Sequence, residues 1–235
     1  MSRVFLTAEW RSLVMLNYEI DPKVLAPLIP AGTELDLWEG RAVISVVGFL
    51  FLNTRLLGIP IPWHRDFPEV NLRFYVRRLI DGEWRRGVTF IREIVPRRAI
   101  AAIARCIYNE PYIPCPMGYR IDRGEFDFSW RHRGRWQRLG VAVKGDARPM
   151  RFGSEEEFIF EHYWGYTRQR DGGTIEYAVE HPRWRVWSVQ RSWLDCDVGS
   201  LFGEPFVKSL TRPPRSAFVA EGSPVLVTRP ARIPT

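Results

Sequence analysis

The stretch RCIYNEPYIPCPM, residues 105–117, gathers an arginine, two cysteines and two tyrosines, which makes it the first place to look for chemistry. A zinc knuckle would need paired ligands about two to four residues apart. Eight residues separate Cys106 from Cys115, Cys196 is remote, and His64, His132, His162 and His181 are dispersed. No metal site is expected, and buried inert thiols fit the cysteines better. Nucleophile elbows of the G-x-S-x-G type are absent, as are G-x-G-x-x-G and Walker-type phosphate loops.

Three polar constellations remain. Arg98 and Arg105 lie seven apart in an alanine- and isoleucine-rich stretch and would share one face of a helix. Lining a cavity, two guanidiniums would clamp a carboxylate or phosphate; facing solvent, they would be ordinary surface groups. Glu157 and Glu161 are four apart on a second predicted helix, with the His162 side chain turned about 100° away, a weak set for acid–base work. Residues 183–193 interleave arginine and tryptophan as a single-strand stacking platform does. They also alternate as an amphipathic strand, with Trp184, Val186 and Ser188 against Arg185, Trp187 and Val189. Nucleic acid is therefore not the expected partner.

The elements that must position these residues are mostly strands. Segments 13–20, 34–38, 42–52, 71–80, 84–95, 125–130, 136–144, 174–180 and 185–190 carry strand patterns. Between and beyond them recur Glu39-Gly40, Asp81-Gly82, Arg123-Gly124, Arg133-Gly134, Asp171-Gly172-Gly173 and Glu221-Gly222, each read as a hairpin reversal. Three helices are expected: one opened by Asp21-Pro22 and ending near Pro30, one over 97–108, and one opened by the capping box Ser154 to Glu157. The fold class is thus α+β and β-dominated, in one domain spanning 1–235.

Composition agrees with a folded chain. Of 235 residues, 46% are hydrophobic and 26% charged, and the net charge of +7 is spread along the sequence. The longest apolar run, about eleven residues over 42–52, falls short of the roughly 20 a membrane helix needs. A glutamate at position 9 interrupts the N-terminus before any hydrophobic leader develops, so a cytoplasmic location is expected, consistent with an odd count of three cysteines.

From Arg11 onward, RSLVMLNYEIDPKVLAPLIPAGTELD resembles the opening of the acetoacetate decarboxylase superfamily. The segments DFPEVNLRFYVR, FIFEHYWGYTRQRDGGTIEYAVEHP and PFVKSLTRPPRSAFVAEGSPVLV resemble one branch of it, the DUF2071 (YqjF-like) family. The resemblance implies an antiparallel β-barrel or cone with a few short helices around a buried small-molecule site. In the decarboxylases a lysine of that site forms a Schiff base with a β-keto acid. The superfamily's leading arginine falls on Arg11, its strand glutamate on Glu69, and its G-R-E-x-x-G-x-P-K-K motif on residues 104–113. Arg105 keeps the motif's arginine, whereas Tyr112 and Ile113 stand where the lysines would be, and neither forms an iminium.

The resulting expectation is a small-molecule protein that binds an anionic organic ligand in a barrel cavity through Arg11, Glu69, Arg105 and Tyr112, without Schiff-base chemistry, cofactor or metal. The alternative is a non-covalent acid–base enzyme acting on a small oxo-acid by enolisation, hydration, dehydration or decarboxylation, with Glu69 or Tyr112 carrying the proton. A second alternative is a polyanion or single-stranded nucleic-acid module. No membrane partner is expected, and a homo-oligomer is compatible with the sequence.

Overall fold

A computed structural model describes residues 4–60, 65–96 and 111–234. The predicted helix over 97–108, with Arg98, Arg105 and Cys106, lies outside the described residues. In chain order the strands are β1 (Val4–Ile20), β2 (Glu34–Leu35), β3 (Ala42–Leu56), β4 (Ile59–Pro60), β5 (Phe67–Ile80), β6 (Glu83–Val95), β7 (Tyr112–Pro114), β8 (Met117–Asp122) and β9 (Glu125–His132). They continue with β10 (Arg135–Val143), β11 (Arg148–Pro149), β12 (Trp164–Arg168), β13 (Thr174–Glu180), β14 (Arg185–Asp195), β15 (Ser216–Thr228) and β16 (Ala231–Arg232). The helices are short: α1 (Pro22–Leu25), α2 (Glu155–Phe160), α3 (Val198–Phe202) and α4 (Glu204–Leu210).

Local chemistry explains the reversals. Glu39-Gly40, Asp81-Gly82, Arg123-Gly124 and Arg133-Gly134 all have positive φ at both positions, the geometry of a type I′ hairpin turn. The start of α2 is capped by Ser154, whose hydroxyl accepts from the Glu157 amide, while Glu157 accepts in return from the Gly153 amide. Helix α1 opens on Asp21, whose carboxylate accepts from the Lys23 amide.

The strands form one sheet in the order β16-β13-β12-β6-β5-β3-β1-β15-β14-β10-β9-β8. An additional pairing of β13 with β15 carries the pairings all the way round β15, β1, β3, β5, β6, β12 and β13. Two of those joints, β12 to β6 and β13 to β15, rest on short pairings, so the sheet is a loosely closed one and not a regular barrel.

The central strands are buried on both faces. The outer face of β1, β3 and β5 presents Val14, Leu16, Ile44, Val46, Val70, Leu72 and Phe74 to a core completed by Phe128, Trp130 and Leu139 of the β9–β10 hairpin and by Leu201, Phe202 and Phe206 of α3 and α4. Gly48 permits that approach, because a Cβ there would come within 2.8 Å of the Phe128 ring. The inner face presents Met15, Val43, Val47, Phe49, Phe51, Phe67 and Tyr75, and packs with Phe158, Ile159 and Phe160 of α2 and with Trp184.

Two expectations are corrected. Glu221-Gly222 makes no hairpin: it sits inside β15, opposite Arg11 of β1. Helix 22–30 is a single α-turn followed by a 3₁₀ turn over Ala26–Leu28.

Candidate ligand-binding site

Strand β5 defines the site, because its alternate residues Phe67, Glu69, Asn71, Arg73 and Tyr75 all point to the inner face. Cross-strand register then fixes the neighbours. One row runs Phe218, Met15, Val47, Asn71, Glu93, Tyr112 across β15, β1, β3, β5, β6 and β7. The next row runs Ser216, Asn17, Ser45, Arg73, Phe90. Glu69 sits one position further out on β5, opposite Phe49.

These rows place a polar patch inside an apolar surround. Glu69 and Asn71 are each 2% exposed and Glu93 1%. The Asn71 amide nitrogen donates to Glu69 at 2.9 Å, while its oxygen is buried without a partner. Arg73 donates to the Ile159 carbonyl at 3.2 Å and lies 3.9 Å from the Met15 sulfur, and its buried Nε has no partner. Beside it, Ser45 donates to the Asn17 side-chain oxygen at 2.6 Å, so the Tyr75 phenol must be the donor in its own 2.6 Å contact with Ser45. Asn17 passes the network on to Ser216.

At the α2 end lies a buried charge cluster. Asp36 accepts from Arg86 Nε at 2.6 Å and faces His162 Nε2 at 3.1 Å, and Tyr75 and Phe158 pack against the imidazole. Burial pushes the Asp36 pKa up, but the His162 hydrogen bond and the Arg86 guanidinium outweigh it and hold the carboxyl below its ordinary value. Burial dominates for the imidazole, whose pKa falls to about 4. His162 is therefore neutral at pH 7, donates Nε2–H to Asp36, and leaves Nδ1 buried without a partner.

The structure brings Glu69 and Tyr112 onto the same face, and His162 is buried at its end. It does not bring Arg11 there. In β1 a bulge centred on Ser12, at φ 56, shifts the register between Arg11 and Val14. One extra residue reverses which side chains point inward. Leu13 and Met15 face in, but before the bulge it is Trp10 that faces in and Arg11 that pairs opposite Leu50, on the outer side. There Arg11 is 39% exposed and bonds Glu9 at 2.6 Å. Glu161 accepts from the Tyr163 phenol.

Asn71, Arg73 and Glu93 are interior residues that motif reading passes over. The alternation Glu69, Asn71, Arg73 was the available signal, since polar residues at period two inside an apolar strand mark one face. Asp36 and Arg86 carry no such signal.

Other features are accounted for elsewhere. Trp184 is buried and donates to Ser223, Trp187 packs on Phe126, Trp193 donates to Asp127, and Arg183 pairs with Glu157. Cys115 and Cys196 are free thiols whose pKa burial raises, for Cys196 to about 12. Among the described residues no group of three or more His, Cys, Asp or Glu is placed to hold a metal ion, and no helix is long and apolar enough to cross a membrane.

A model of the DUF2071 family, described as an uncharacterized conserved protein, matches residues 7–224. This chain belongs to the DUF2071 family. The relative YqjF of Bacillus subtilis (strain 168) is 27% identical over 198 residues, which cover 82% of this chain and 78% of YqjF. Among solved structures, the acetoacetate decarboxylase of Legionella pneumophila is similar with a TM-score of 0.70 at 14% identity, over 100% of this chain and 90% of that one. The enduracididine biosynthesis enzyme MppR, solved in complex with pyruvate, is similar with a TM-score of 0.65 at 12% identity, over 99% and 91%. This DUF2071 chain therefore has an acetoacetate-decarboxylase-like fold.

Its lysines are placed apart from that fold's interior. All three, Lys23, Lys144 and Lys208, are exposed: one on α1, one just beyond β10 and one on α4.

Proposed function

We propose that this protein binds a small anionic organic molecule on the inner face of the sheet, between β5, β6 and β7, without forming a covalent amine adduct. The observation that carries the reading is Arg73. A guanidinium turned into an apolar interior is costly unless an anion meets it. The recorded contacts of Arg73 are a carbonyl, a thioether and the Tyr75 ring, with no carboxylate among them. A ligand carboxylate would accept from the Arg73 guanidinium, whose Nε has no partner, through charge-assisted hydrogen bonds. Pyruvate bound to the similarly folded MppR supports small acids as the ligand class. Glu69 and Tyr112, named from the sequence as site candidates, lie on the same face as Arg73, to which we give the clamp role that the sequence reading assigns to Arg11 and Arg105. With Lys23, Lys144 and Lys208 all exposed, no lysine amine stands in the interior to form a Schiff base. We place the protein in the cytoplasm, in keeping with its free thiols.

The test is calorimetric titration and thermal shift with small mono- and dicarboxylates, including pyruvate, on the wild type and on Arg73→Met. Binding to the wild type that the variant loses supports the reading. A shift that Arg73→Met leaves intact would overturn it.

Catalysis is a second reading, favoured by Glu69 and Glu93 lying buried on either side of Asn71. Proton transfer by Glu69 to or from a bound oxo-acid would then be abolished in Glu69→Gln while ligand binding survives. Solvent-deuterium exchange into pyruvate, followed by NMR, reads this directly; equal exchange in wild type and variant would dismiss it.

A further inference from the structure

The interior holds two buried, unpartnered polar atoms of opposite character on adjacent inward positions of one strand. Arg73 Nε is a cationic donor; Asn71 Oδ1 is an acceptor. Along a strand, two residues span roughly 6.6 Å, the scale of a three- or four-carbon acid.

The orientation of Asn71 is fixed by chemistry. Its nitrogen donates to Glu69 Oε1 at 2.9 Å, and turning the amide over would set its oxygen against a carboxylate oxygen. The oxygen must therefore be the open end. Asn71 is 98% buried, as its 2% exposure gives, so bulk water does not serve that oxygen. An anion alone satisfies Arg73 and leaves Asn71 unmet. Keto oxygens make matters worse, because a keto acid offers only acceptors to an oxygen that needs a donor.

We infer that the ligand is a small hydroxy acid, its carboxylate on Arg73 and its hydroxyl donating to Asn71 Oδ1. The inference rests on the anion-binding reading above and narrows it. It separates this chain from a neighbour of the same fold that holds pyruvate. Asn71 is thus a specificity-determining residue, and its contribution is discrimination more than affinity for acids in general. Sites that hydrogen-bond a ligand hydroxyl reject the analogue lacking it, because their own polar group is then stranded.

The experiment is calorimetric titration of the full chain with matched acids: lactate and 3-hydroxypropanoate against propanoate and pyruvate, and mandelate against phenylacetate. At least one hydroxylated member should bind about tenfold or more tightly than its partners. Asn71→Leu should erase that preference while leaving the affinity for the unhydroxylated acid within about twofold; Asn71→Ala serves if the leucine variant does not fold, as judged by circular dichroism. Equal affinities within every matched set on the wild type would overturn the inference, for then a bound water satisfies Asn71, while the Arg73 reading stands. Binding by none of the acids would sink both.

Discussion

Strand β5 has two faces that obey different rules. Val70, Leu72, Phe74 and Val76 point outward into a wholly apolar layer, each fully buried, and need nothing beyond shape. Glu69, Asn71 and Tyr75 point inward and are buried, Arg73 beside them is part-buried, and all four carry polar groups, two of them with atoms that have no partner. Burying such groups opposes folding, so their presence on one face of β5 is the physical ground for the binding role proposed above. The outer face is wholly apolar packing; the inner face carries the polar patch on which the proposed ligand site rests.

The largest effect that would test this contrast is on the outer face. Phe74→Ala should lower unfolding free energy by about 3–5 kcal/mol in urea denaturation, while the folded fraction binds acid ligands normally. A variant that lost ligand affinity instead would join the two faces into one functional unit.

Next comes pH, through His162. The unfolded imidazole takes up a proton near pH 6.5, whereas the folded one resists until about pH 4. Its contribution is therefore complete above pH 6.5 and is lost as pH falls toward 4, amounting to about 3 kcal/mol across that window. Urea midpoints at pH 7, 5.5 and 4.5 should show the decline, and His162→Gln should flatten it.

Arg73→Met should weaken acid binding by about 10- to 100-fold, the worth of a charged hydrogen bond. The same change should leave stability equal or higher, since it removes an unpaired charge from an apolar surround. Loss of stability together with binding would instead make Arg73 a structural residue.

Smallest is Arg11→Ala. Its pair with Glu9 is part-exposed, so the cost should stay below about 1 kcal/mol, with ligand titration unchanged. A large loss of ligand affinity would return Arg11 to the site.

Much of the fold was legible in the sequence, because strand period and Gly-containing turns are local signals. The four two-residue reversals over 39–40, 81–82, 123–124 and 133–134 were readable from composition alone. Strand β15 was not, because Glu221-Gly222 looks like another reversal; only the partner strand shows that it lies within continuous pairing. The candidate site was half legible. Glu69 and Tyr112 were named from motif positions and share the inner face, but Arg73 is one arginine in an arginine-rich chain and gains meaning only from sharing a face with Asn71 and Glu93. Arg11 failed for the converse reason: its spacing from Leu13 and Met15 is correct for an inward residue, and a bulge cancels it. No counting rule along one strand detects an inserted residue whose cause lies across the sheet.

That insertion has a further consequence. Gly222, at φ 79, sits where any side chain would run into the Trp10 carbonyl, so β15 is shaped to receive the extra residue in β1. Deleting Ser12 would therefore remove the bulge without turning its flanks over: Arg11 would directly precede Leu13 and stay opposite Leu50 on the outer side, Trp10 would stay inward, and the surplus residue would lie in β15 alone. A one-residue deletion, a change most proteins tolerate only in loops, would here keep the facing of both halves of β1, because the residue lost is the one without a place of its own in the pairing with β3.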